Sequence, residues 1–337
     1  MSLEVVRPGL LTTVQDLGRH GFQKYGVTVG GAMDPFALRA ANLLVGNGEG
    51  EAALEITLDG PALKFRRDAL IALCGGDLSP SLDGAPVPMW RPVWVREGGV
   101  LRFGVPGLGC RAYLAVAGGF DAALVMGSRS TDLRAALGGW KGRRLQAGDV
   151  VGFRPPSPLS ERIASRLTAR LDPGQRSAAA PWRISADLTP RYGRNPAVRA
   201  LPGPEWERFD AKAREAFWSG TFSVSPASDR MGYRLSGPAL RLAEPFDMIS
   251  EAVSFGTVQV PPDGNPIVLM ADRQTTGGYP RIAQVIAVDL PVMAQVSPGR
   301  NVRFRPVALE EAEKLLLVRE AELLKLKAGI EAWAASA

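Results

Sequence analysis

The sequence predicts a mainly β protein with few helices, and two features of the chain lead to this prediction. Short apolar segments recur through most of the 337 residues, with glycines and prolines between them. Their spacing of about ten residues is typical of β-barrels and sandwiches, whereas βαβ units would alternate strands with longer helical segments. Helical periodicity is clear at only two places, after Asp34 and after Leu309.

The predicted strands are rich in aliphatic, β-branched and aromatic residues, and turn-forming residues separate them. In chain order they lie at 53–58, 69–74, 92–97, 100–105, 111–118, 221–226, 257–261, 266–271, 281–288 and 301–306. They form an early and a late group, and the sequence GPAL occurs once in each group. This pattern predicts two related barrels rather than an array of many repeats.

The segment between the two groups is rich in Pro, Ser and Ala, a composition typical of a linker, and we expect one short helix within it. We therefore predict four parts of the chain, which are a first β domain at 1–154, a linker at 155–185, a second β domain at 186–307 and a C-terminal helix at 308–337.

The first helix has strong signals at both ends. Asp34 is a favourable N-cap, Pro35 suits the first helical turn, and Gly46 suits the position after the end. Arg39 and Asn42 are three residues apart and therefore share a face of this helix. The Gly-rich turn before Asp34 makes the helix N-terminus a possible anion site, although simple capping explains the same residues.

The C-terminal helix carries a seven-residue repeat of aliphatic side chains. The repeated residues are Leu309, Leu316, Leu323 and Ile330. Such a repeat is compatible with pairing to another chain. Packing within the same chain is the favoured interpretation, because Arg319 interrupts the helix face.

The charge distribution argues against a nucleic-acid partner. The chain has 40 basic and 34 acidic residues and a net charge of +6, but no basic run exceeds three residues. No apolar run reaches the ~18 residues that a membrane helix needs, so no membrane partner is predicted.

The cysteines and the N-terminus predict a cytoplasmic protein. Cys74 and Cys110 show neither CxxC spacing nor a metal-binding pattern, which fits a reducing compartment. The N-terminus has no basic segment followed by an apolar one, as a secretion signal would. His20 is the single histidine, so multi-histidine metal sites are excluded, and we interpret it as a surface residue rather than a general base.

Three polar segments are candidates for chemistry, and they lie at 12–34, 228–234 and 271–280. The third interrupts two apolar strands with a carboxylate, a guanidinium, an amide, two hydroxyls, two glycines and a phenol. A two-residue hairpin would need none of these groups, so we interpret the segment as a site rather than an elaborate turn.

Three long segments, 12–47, 228–240 and 266–291, resemble the KipA family. This family is also known as the biotin-dependent carboxyltransferase subunit, as allophanate hydrolase subunit 2 and as the C subunit of 5-oxoprolinase. The resemblance extends from about Val5 to Ala312.

The resemblance implies two cyclophilin-like β-barrel domains and a partner subunit of the KipI type, which is similar to the B subunit of 5-oxoprolinase. It further implies a third subunit and action on a small cyclic or urea-like amide. The chain resembles the stand-alone form, which is part of an ATP-dependent 5-oxoprolinase, with Mg²⁺ as a further expected cofactor.

Opening an unactivated lactam requires an electrophilic carbonyl, donors for a developing oxyanion and a group that moves protons. We expect Asp272 to move a proton or bind Mg²⁺, Arg273 to hold an anionic group, and Tyr279 to close one wall. We expect no dedicated set of metal ligands among the side chains. Asp272, Arg273 and Tyr279 are thus the predicted catalytic residues. The predicted substrate-binding residues are Gln274, Thr275, Thr276, Gly277, Gly278, Asp229, Arg230, Asp34, Arg39 and Asn42.

The two glycines are expected to let the backbone approach the ligand. Substitutions in this segment are expected to lower activity and barely change stability.

Two other functions fit the same resemblance. The chain would be a carboxyltransferase subunit that moves a carboxyl group from carboxybiotin, carried on another protein, to a urea-like amide. Alternatively, it would be a non-catalytic antagonist that binds a KipI-type kinase inhibitor. The fold alone does not decide between these functions.

Overall fold

The computed structural model describes residues 2–169, 171–172 and 174–336. The described residues divide into two compact units. Unit 1 contains the described parts of Met1–Arg19, Asp34–Thr189 and Glu320–Ala337, and unit 2 contains His20–Met33 and Pro190–Arg319.

The described part of unit 1 is built mainly from twelve strands. They are β1 (Ser2–Arg7), β2 (Leu11–Gln15), β3 (Ala53–Thr57), β4 (Ala62–Phe65), β5 (Ala69–Asp77), β6 (Ser81–Leu82), β7 (Ala85–Pro86), β8 (Pro92–Val95), β9 (Val100–Arg102), β10 (Leu108–Val116), β11 (Val150–Gly152) and β12 (Ser177–Ala179). They form two six-stranded sheets, ordered β11-β1-β4-β9-β6-β7 and β12-β8-β5-β10-β3-β2.

Both sheets of unit 1 contribute to one hydrophobic core. Leu3 and Phe65 from the first sheet and Leu54 and Leu114 from the second are fully buried in the same cluster. Side chains alternate between the faces of a strand, so Glu55 lies on the opposite face of the second sheet from Leu54. That second face is also buried, because the helix described next packs against β5 and β10.

Helix α1 (Pro35–Leu44) packs against this second sheet. The Asp34 side chain accepts a hydrogen bond from the backbone N–H of Ala37 at 2.9 Å, and Gly46 takes a left-handed φ of 76° after the helix. The predicted caps therefore act at both ends of the helix.

The predicted linker at 155–185 is not a free connection. It contains helix α2 (Pro158–Thr168), whose side chains Ile163 and Leu167 are fully buried, as well as β12, which pairs with β8. These elements belong to unit 1, so its second segment continues to Thr189 rather than ending at 154. The short helix expected within this segment is present as α2, but the Pro, Ser and Ala content did not indicate that it packs into unit 1.

Unit 2 contains nine strands within the described residues. They are β13 (Ala197–Pro202), β14 (Phe222–Val224), β15 (Gly232–Ser236), β16 (Glu251–Ala252), β17 (Thr257–Gln259), β18 (Ile267–Leu269), β19 (Thr276–Gly277), β20 (Arg281–Val285) and β21 (Asn301–Pro306). Seven of them close a barrel in the order β13-β20-β17-β18-β15-β14-β21, and β16 pairs with β19 in a separate two-stranded sheet.

The barrel is closed by a parallel pair. Strand β13 lies parallel to β21, with Ala197 opposite Arg303, and the other barrel pairs are antiparallel. The interior is filled by alternating apolar residues and by aromatic rings, among which Phe217 stacks on Phe304 with ring centroids 4.5 Å apart. Met33 from the N-terminal segment of the unit also lies in this core.

The remaining helices of the described residues are α3 (Ala211–Ser219), α4 (Leu290–Ala294) and α5 (Leu309–Ala335), with short 3-10 helices at Gln23–Tyr25, Trp206–Arg208 and Ala287–Asp289. In α5, Leu323 and Ile330 are buried, whereas Leu316 is 40% exposed. Trp333 contacts Trp182 edge-to-face with ring centroids 5.2 Å apart. The C-terminal half of α5 therefore packs within the chain.

The mainly β prediction with few helices is confirmed. The second half forms a closed barrel, whereas the first half forms two sheets around a shared core. Each predicted strand overlaps an observed one. Among the described residues, no helix is long and apolar enough to cross a membrane.

Candidate functional site

The segment 271–280 connects two barrel strands, β18 and β20, by a path much longer than a hairpin turn. The Asp272 backbone N–H donates to the Arg230 carbonyl at 2.8 Å, and the Arg273 N–H donates to the Met270 carbonyl at 3.2 Å. The chain then forms β19, where Gly277 lies opposite Glu251 of β16. Backbone pairing therefore fixes both ends of the segment and presents its side chains in different directions.

Asp272 forms a buried bidentate ion pair with Arg230. The Arg230 Nε and Nη2 atoms donate to the two carboxylate oxygens, each at 2.8 Å. Arg230 also donates to the carbonyl of Gly31 at 2.6 Å. Asp272 is 9% exposed and Arg230 5% exposed. Fork-to-fork pairs of this kind are strong and geometrically specific.

These contacts change the interpretation of both residues. Asp272 was expected to move a proton or bind a metal, and Arg230 to bind substrate. In the structure the charged groups of Asp272 and Arg230 are bonded to each other, and these contacts support a structural role for both residues. Neighbouring Asp229 is exposed, and its carboxylate accepts backbone hydrogen bonds from Met231 and Gly232 at 2.8 and 3.2 Å.

Arg273 differs from Arg230 in how weakly the described residues hold its charge. Its hydrogen bonds run from Nε to the Val253 carbonyl at 3.5 Å and from Nη1 to the Met270 carbonyl at 3.4 Å. The guanidinium also lies 5.8 Å from the ring centroid of Phe255. Among the described residues, no carboxylate forms an ion pair with Arg273.

Burial lowers the pKa of Arg273 below its ordinary value, and the nearby charge of Asp272 offsets part of this effect. The side chain nevertheless stays protonated at neutral pH, as arginine does in proteins. A half-buried cation with two long hydrogen bonds can still accept an anionic ligand. Arg273 is therefore the strongest anion-binding candidate in this segment.

The missing side chains of the two glycines make room for neighbouring side chains. A Cβ atom on Gly277 would lie 2.2 Å from Nε2 of Gln259, and one on Gly278 would lie 3.1 Å from the Ser250 hydroxyl. Gln259 is 1% exposed, and its Nε2 donates to the carbonyl of Tyr279 at 3.3 Å. The expectation that these glycines admit a ligand is therefore wrong for Gly277, whose missing side chain makes room for Gln259.

Gly278 and Tyr279 line a surface cavity of about 720 Å³. Its other walls are Phe209 and the segments 239–248 and 260–264. The volume lies within the range of small-molecule sites. Tyr279, which is 44% exposed, forms part of the cavity wall, and its role toward a substrate stays a prediction. Asp272 and Arg273 do not line this cavity, so the segment does not bring its predicted residues together at one point.

The three polar residues in the middle of the segment lie nearer the surface. Thr276 is exposed, and Gln274 and Thr275 are half-buried. The carbonyl of Thr275 accepts a hydrogen bond from the Val253 N–H at 3.2 Å. Their predicted role in binding substrate stays a prediction.

Sequence reasoning missed an ion-pair network beside this segment. Arg281 donates to both oxygens of Glu205 at 2.8 and 2.7 Å and to Glu251 at 2.7 Å. Burial by itself would raise the pKa of Glu205, but the hydrogen bonds and charge of Arg281 outweigh it and lower that pKa. The network connects β20 to the short sheet of β16 and β19. No local sequence signal indicates this pairing, because Glu205 lies far from Arg281 along the chain.

The predicted binding residues on α1 belong to unit 1 and have structural contacts. Arg39 donates to Glu320 through both Nη atoms and to Glu49 through Nε, each at 2.6 Å. Asn42 is fully buried and donates to the Glu51 carbonyl at 2.7 Å. Their contacts do not support the prediction that they bind substrate.

Asp34 lies in a buried polar cluster of unit 1. Its backbone N–H donates to the hydroxyl of Tyr113 at 2.8 Å, and that hydroxyl donates to Glu55 at 2.7 Å. Burial and the adjacent carboxylates raise the pKa of Tyr113 well above its ordinary value, so the phenol stays protonated. Asp34 therefore has a structural role, because it caps α1 and belongs to this buried polar cluster.

The remaining reactive side chains show no catalytic arrangement within the described residues. His20 is exposed, and Cys74 and Cys110 are buried and not disulfide-bonded. Burial raises the pKa of Cys74 well above its ordinary value, and the charge of Asp34 adds to this effect. In the same part of the chain, no group of three or more His, Cys, Asp and Glu side chains is placed to hold a metal ion.

Residues 25–306 match the sequence model of the carboxyltransferase domain, subdomains A and B. The chain belongs to this carboxyltransferase-domain family. The matched range includes α1, the whole barrel and the segment 271–280, and the resemblance stated from the sequence is thereby confirmed.

Two relatives in the carboxyltransferase-domain family cover nearly the same length as this chain. A Haemophilus influenzae protein named as the C subunit of 5-oxoprolinase is 41% identical over 303 residues, which are 90% of each chain. An Escherichia coli protein with the same name is 42% identical over 315 residues, which are 93% of each chain.

Solved structures from the family show the same fold. The urea amidolyase of Kluyveromyces lactis is 31% identical with a TM-score of 0.85 over 96% of this chain, although the chain spans only 20% of that protein. The structure of TTHA0988 is 36% identical with a TM-score of 0.74, and this chain covers 55% of it. The family therefore includes both separate subunits and segments of longer proteins.

Proposed function

We propose that this chain is a subunit of an ATP-dependent 5-oxoprolinase that opens 5-oxoproline to L-glutamate together with a KipI-type partner. Two relatives named as the C subunit of 5-oxoprolinase align over about nine-tenths of the chain, which favours this function over the alternatives. In this proposal the chain has little or no activity alone, because it supplies one part of a hetero-oligomer.

The observation that carries the proposal is the Arg273 guanidinium, whose positive charge forms no ion pair with a described carboxylate. A substrate such as 5-oxoproline carries a carboxylate beside its lactam ring. A bidentate arginine fork matches a carboxylate, and partial burial strengthens the contact. Val253 and Met270 hold Arg273 only weakly, at 3.4–3.5 Å, so a ligand carboxylate can replace those contacts. Arg273 would thus orient the substrate without changing it chemically.

The reaction breaks the lactam C–N bond, forms a bond between a water oxygen and the carbonyl carbon, and delivers a proton to the departing nitrogen. When bound, ATP would transfer its γ-phosphoryl group to the lactam oxygen, leaving ADP, and would make the carbonyl carbon electrophilic. The phosphoryl group would depart as inorganic phosphate after water has added to that carbon. The protein groups that contact the reacting oxygen must be hydrogen-bond donors directed at the negative charge that develops on it.

The large cavity does not suit the triphosphate of ATP. Its rim carries the exposed carboxylates Glu244, Asp247 and Asp263, against one exposed arginine, Arg241. Like charges would repel a polyphosphate there. We therefore expect ATP to bind to the partner subunit rather than in this cavity.

The experiment is to mix the purified chain with its KipI-type partner and any third subunit, and to measure ATP-dependent release of glutamate from 5-oxoproline. Arg273→Lys should reduce kcat/KM by about 30-fold or more, since an ammonium cannot replace a bidentate fork. The matched control is Arg305→Lys, because Arg305 is an exposed arginine on β21 of the same unit. Melting temperatures should match the wild type in both variants.

Three outcomes would contradict the proposal. One is the absence of glutamate release from the reconstituted complex, and another is full turnover by the chain alone. The third is wild-type activity in Arg273→Lys, which would remove Arg273 from the site and leave the assignment without its main structural support.

A second candidate function is carboxyl transfer from carboxybiotin to a urea-like amide. It is favoured by the match to the carboxyltransferase domain and by 32% identity to the Saccharomyces cerevisiae urea amidolyase over 93% of this chain. Loss of the carboxyl group from a carboxybiotin carrier together with formation of N-carboxyurea, dependent on urea and on this chain but not on ATP, would identify this function. Binding to the KipI-type partner without either reaction would instead identify the non-catalytic antagonist.

A further inference from the structure

A long irregular loop of unit 1, residues 121–149, joins β10 to β11. Within it the described structure has two tight turns, one closed by a bridge between Val125 and Ser128 and one by a bridge between Asp132 and Leu137. Loops of this length without regular structure are uncommon in compact domains and usually functional. This loop is held firmly, as its anchoring residues show.

The carboxylate of Asp16 anchors the first turn. Its carboxylate accepts hydrogen bonds from the Ser128 hydroxyl at 2.7 Å, the Ser130 hydroxyl at 2.5 Å and the Arg129 N–H at 2.6 Å. The Asp16 N–H in turn donates to the Ser130 hydroxyl at 2.9 Å. One buried carboxylate therefore fixes three consecutive residues of the loop.

Arg19 anchors the same turn from the other side. It is fully buried, and its Nε and Nη2 atoms donate to the carbonyls of Val125 at 3.0 Å and Ser130 at 2.8 Å. Gly138 passes so close that a Cβ atom there would lie 2.7 Å from Arg19 Nη2 and 2.3 Å from the Ser130 carbonyl oxygen. The bases of both turns therefore meet around one arginine.

The turns held in this way present apolar side chains to solvent. Leu124 is 62% exposed, Met126 is 43% exposed, and Leu133 is 38% exposed. Met126 takes a left-handed φ of 50°, which is strained for a side chain of its size. A buried Asp and a buried Arg thus hold a strained, apolar tip rigid, and preorganisation of this kind lowers the entropic cost of binding.

The exposed charges of the loop indicate what kind of surface would cover it. They include three cations, Arg134, Lys141 and Arg144, and the carboxylate of Asp121. A twofold contact between two copies of this chain through the loop would bring its excess of positive charge against itself. That arrangement is unfavourable, so a different chain with an acidic rim fits better.

We propose that the 121–149 loop docks a companion subunit through an apolar contact on Leu124, Met126 and Leu133, surrounded by acidic residues of that subunit. This inference rests on the proposed function only in taking the chain to be one part of a hetero-oligomer. It goes beyond that function by assigning the contact to a surface of unit 1, whereas Arg273 lies in unit 2.

The test measures binding of the purified KipI-type subunit to the full-length chain by calorimetry. Leu124→Asp should weaken the Kd at least about tenfold, since a charge would be buried at the centre of the contact. Arg134→Glu should weaken it less, about threefold to tenfold, and the effect should shrink at high salt. Val105→Asp is the matched control, because Val105 is 83% exposed on another loop of unit 1. It should bind like the wild type.

Several results would overturn the inference. The first is a Kd for Leu124→Asp within about threefold of that of the control, and the second is a wild-type chain that does not bind the subunit. The third is a wild-type chain that sediments as a dimer while Leu124→Asp sediments as a monomer. The glutamate assay separates this inference from the proposed function. If Leu124→Asp binds the partner and releases glutamate like the wild type, only the docking proposal is wrong. If Leu124→Asp binds more weakly but the wild-type complex itself has no 5-oxoprolinase activity, only the functional proposal is wrong.

Discussion

Arg19 and Arg273 are both arginines of polar segments that the sequence marks as candidate sites, and the structure treats them differently. Arg19 is fully buried and donates to two carbonyls at 3.0 and 2.8 Å. Arg273 is half-buried and reaches its two carbonyls only at 3.5 and 3.4 Å. The first guanidinium holds a loop in place, and its Nη1 atom, which has no hydrogen-bond partner, is buried where no ligand reaches it. The second is partly accessible and weakly bonded, so it can still bind a ligand.

The same contrast separates Arg273 from Asp272, its neighbour in the chain. Asp272 has two strong charge-assisted bonds to Arg230, and Arg273 has none to a described carboxylate. Residue type and sequence position therefore do not distinguish structural from binding residues here. What distinguishes them is how far the protein already satisfies the hydrogen bonds and charge of each polar group. Substitutions of satisfied groups should lower stability, and substitutions of unsatisfied groups should lower activity.

The largest effect is expected for Asp272→Asn. Removing one member of a buried ion pair leaves Arg230 uncompensated and should cost about 3–5 kcal/mol in the free energy of unfolding. Urea denaturation of the purified variant measures it. This expectation reverses the sequence-based one, in which substitutions of this segment barely changed stability.

A double variant sharpens the Asp272 test. Arg230→Met combined with Asp272→Leu removes both charges, and apolar replacements of buried pairs are often close to neutral. The double variant should therefore be more stable than Asp272→Asn. A loss below about 1 kcal/mol in Asp272→Asn would show that the pair is weak and would return Asp272 to the set of binding candidates.

Arg19→Lys should have the next largest effect, a loss of about 1–3 kcal/mol, since a lysine cannot donate to the Val125 and Ser130 carbonyls with the same geometry and leaves a buried acceptor unpaired. Thermal unfolding measures the loss. The control is Arg102→Lys on the exposed side of β9, which should be neutral. Equal melting temperatures for the two variants would show that Arg19 is no anchor.

A smaller, pH-dependent effect is expected for Glu205. Its pKa is lower in the folded chain than its ordinary value, so its pairing with Arg281 stabilises the fold at neutral pH and that stability is lost as the pH falls through the folded pKa. Glu205→Gln should lower the urea midpoint at pH 7 and bring the two proteins closer together below about pH 4. A gap between them that stays constant from about pH 7 to about pH 3 would contradict the assignment.

The smallest effect is expected for His20→Ala. The side chain is exposed, so the substitution should change kcat/KM of the reconstituted complex by less than about tenfold and leave the melting temperature unchanged. A loss of about 100-fold with normal folding would make His20 a general base, and would show that an exposed polar group can matter more than a half-satisfied one.

The sequence predicted those parts of the fold that depend on local patterns. Short apolar segments separated by glycines and prolines placed the strands, and Asp34, Pro35 and Gly46 placed α1. The pairing of Asp272 with Arg230 was beyond reach, because the two residues lie far apart in the chain and each has an oppositely charged neighbour with which it does not pair. The role of Gly277 was also hidden, because it depends on where Gln259 lies in three dimensions. A short helix was expected within the linker, but the sequence did not show that α2 packs into unit 1, because few of its side chains are apolar.

The parallel pair that closes the barrel has a consequence for how unit 2 forms during synthesis. Ala197 in β13 lies beside Arg303 in β21, so the first barrel strand has to wait for the last one to leave the ribosome. Contacts this distant in sequence slow folding, because the intervening chain must be ordered before they form. Until then both strand edges stay open to wrong pairing, and ribosome-bound chains that end before Asn301 should be protease-sensitive and prone to aggregate.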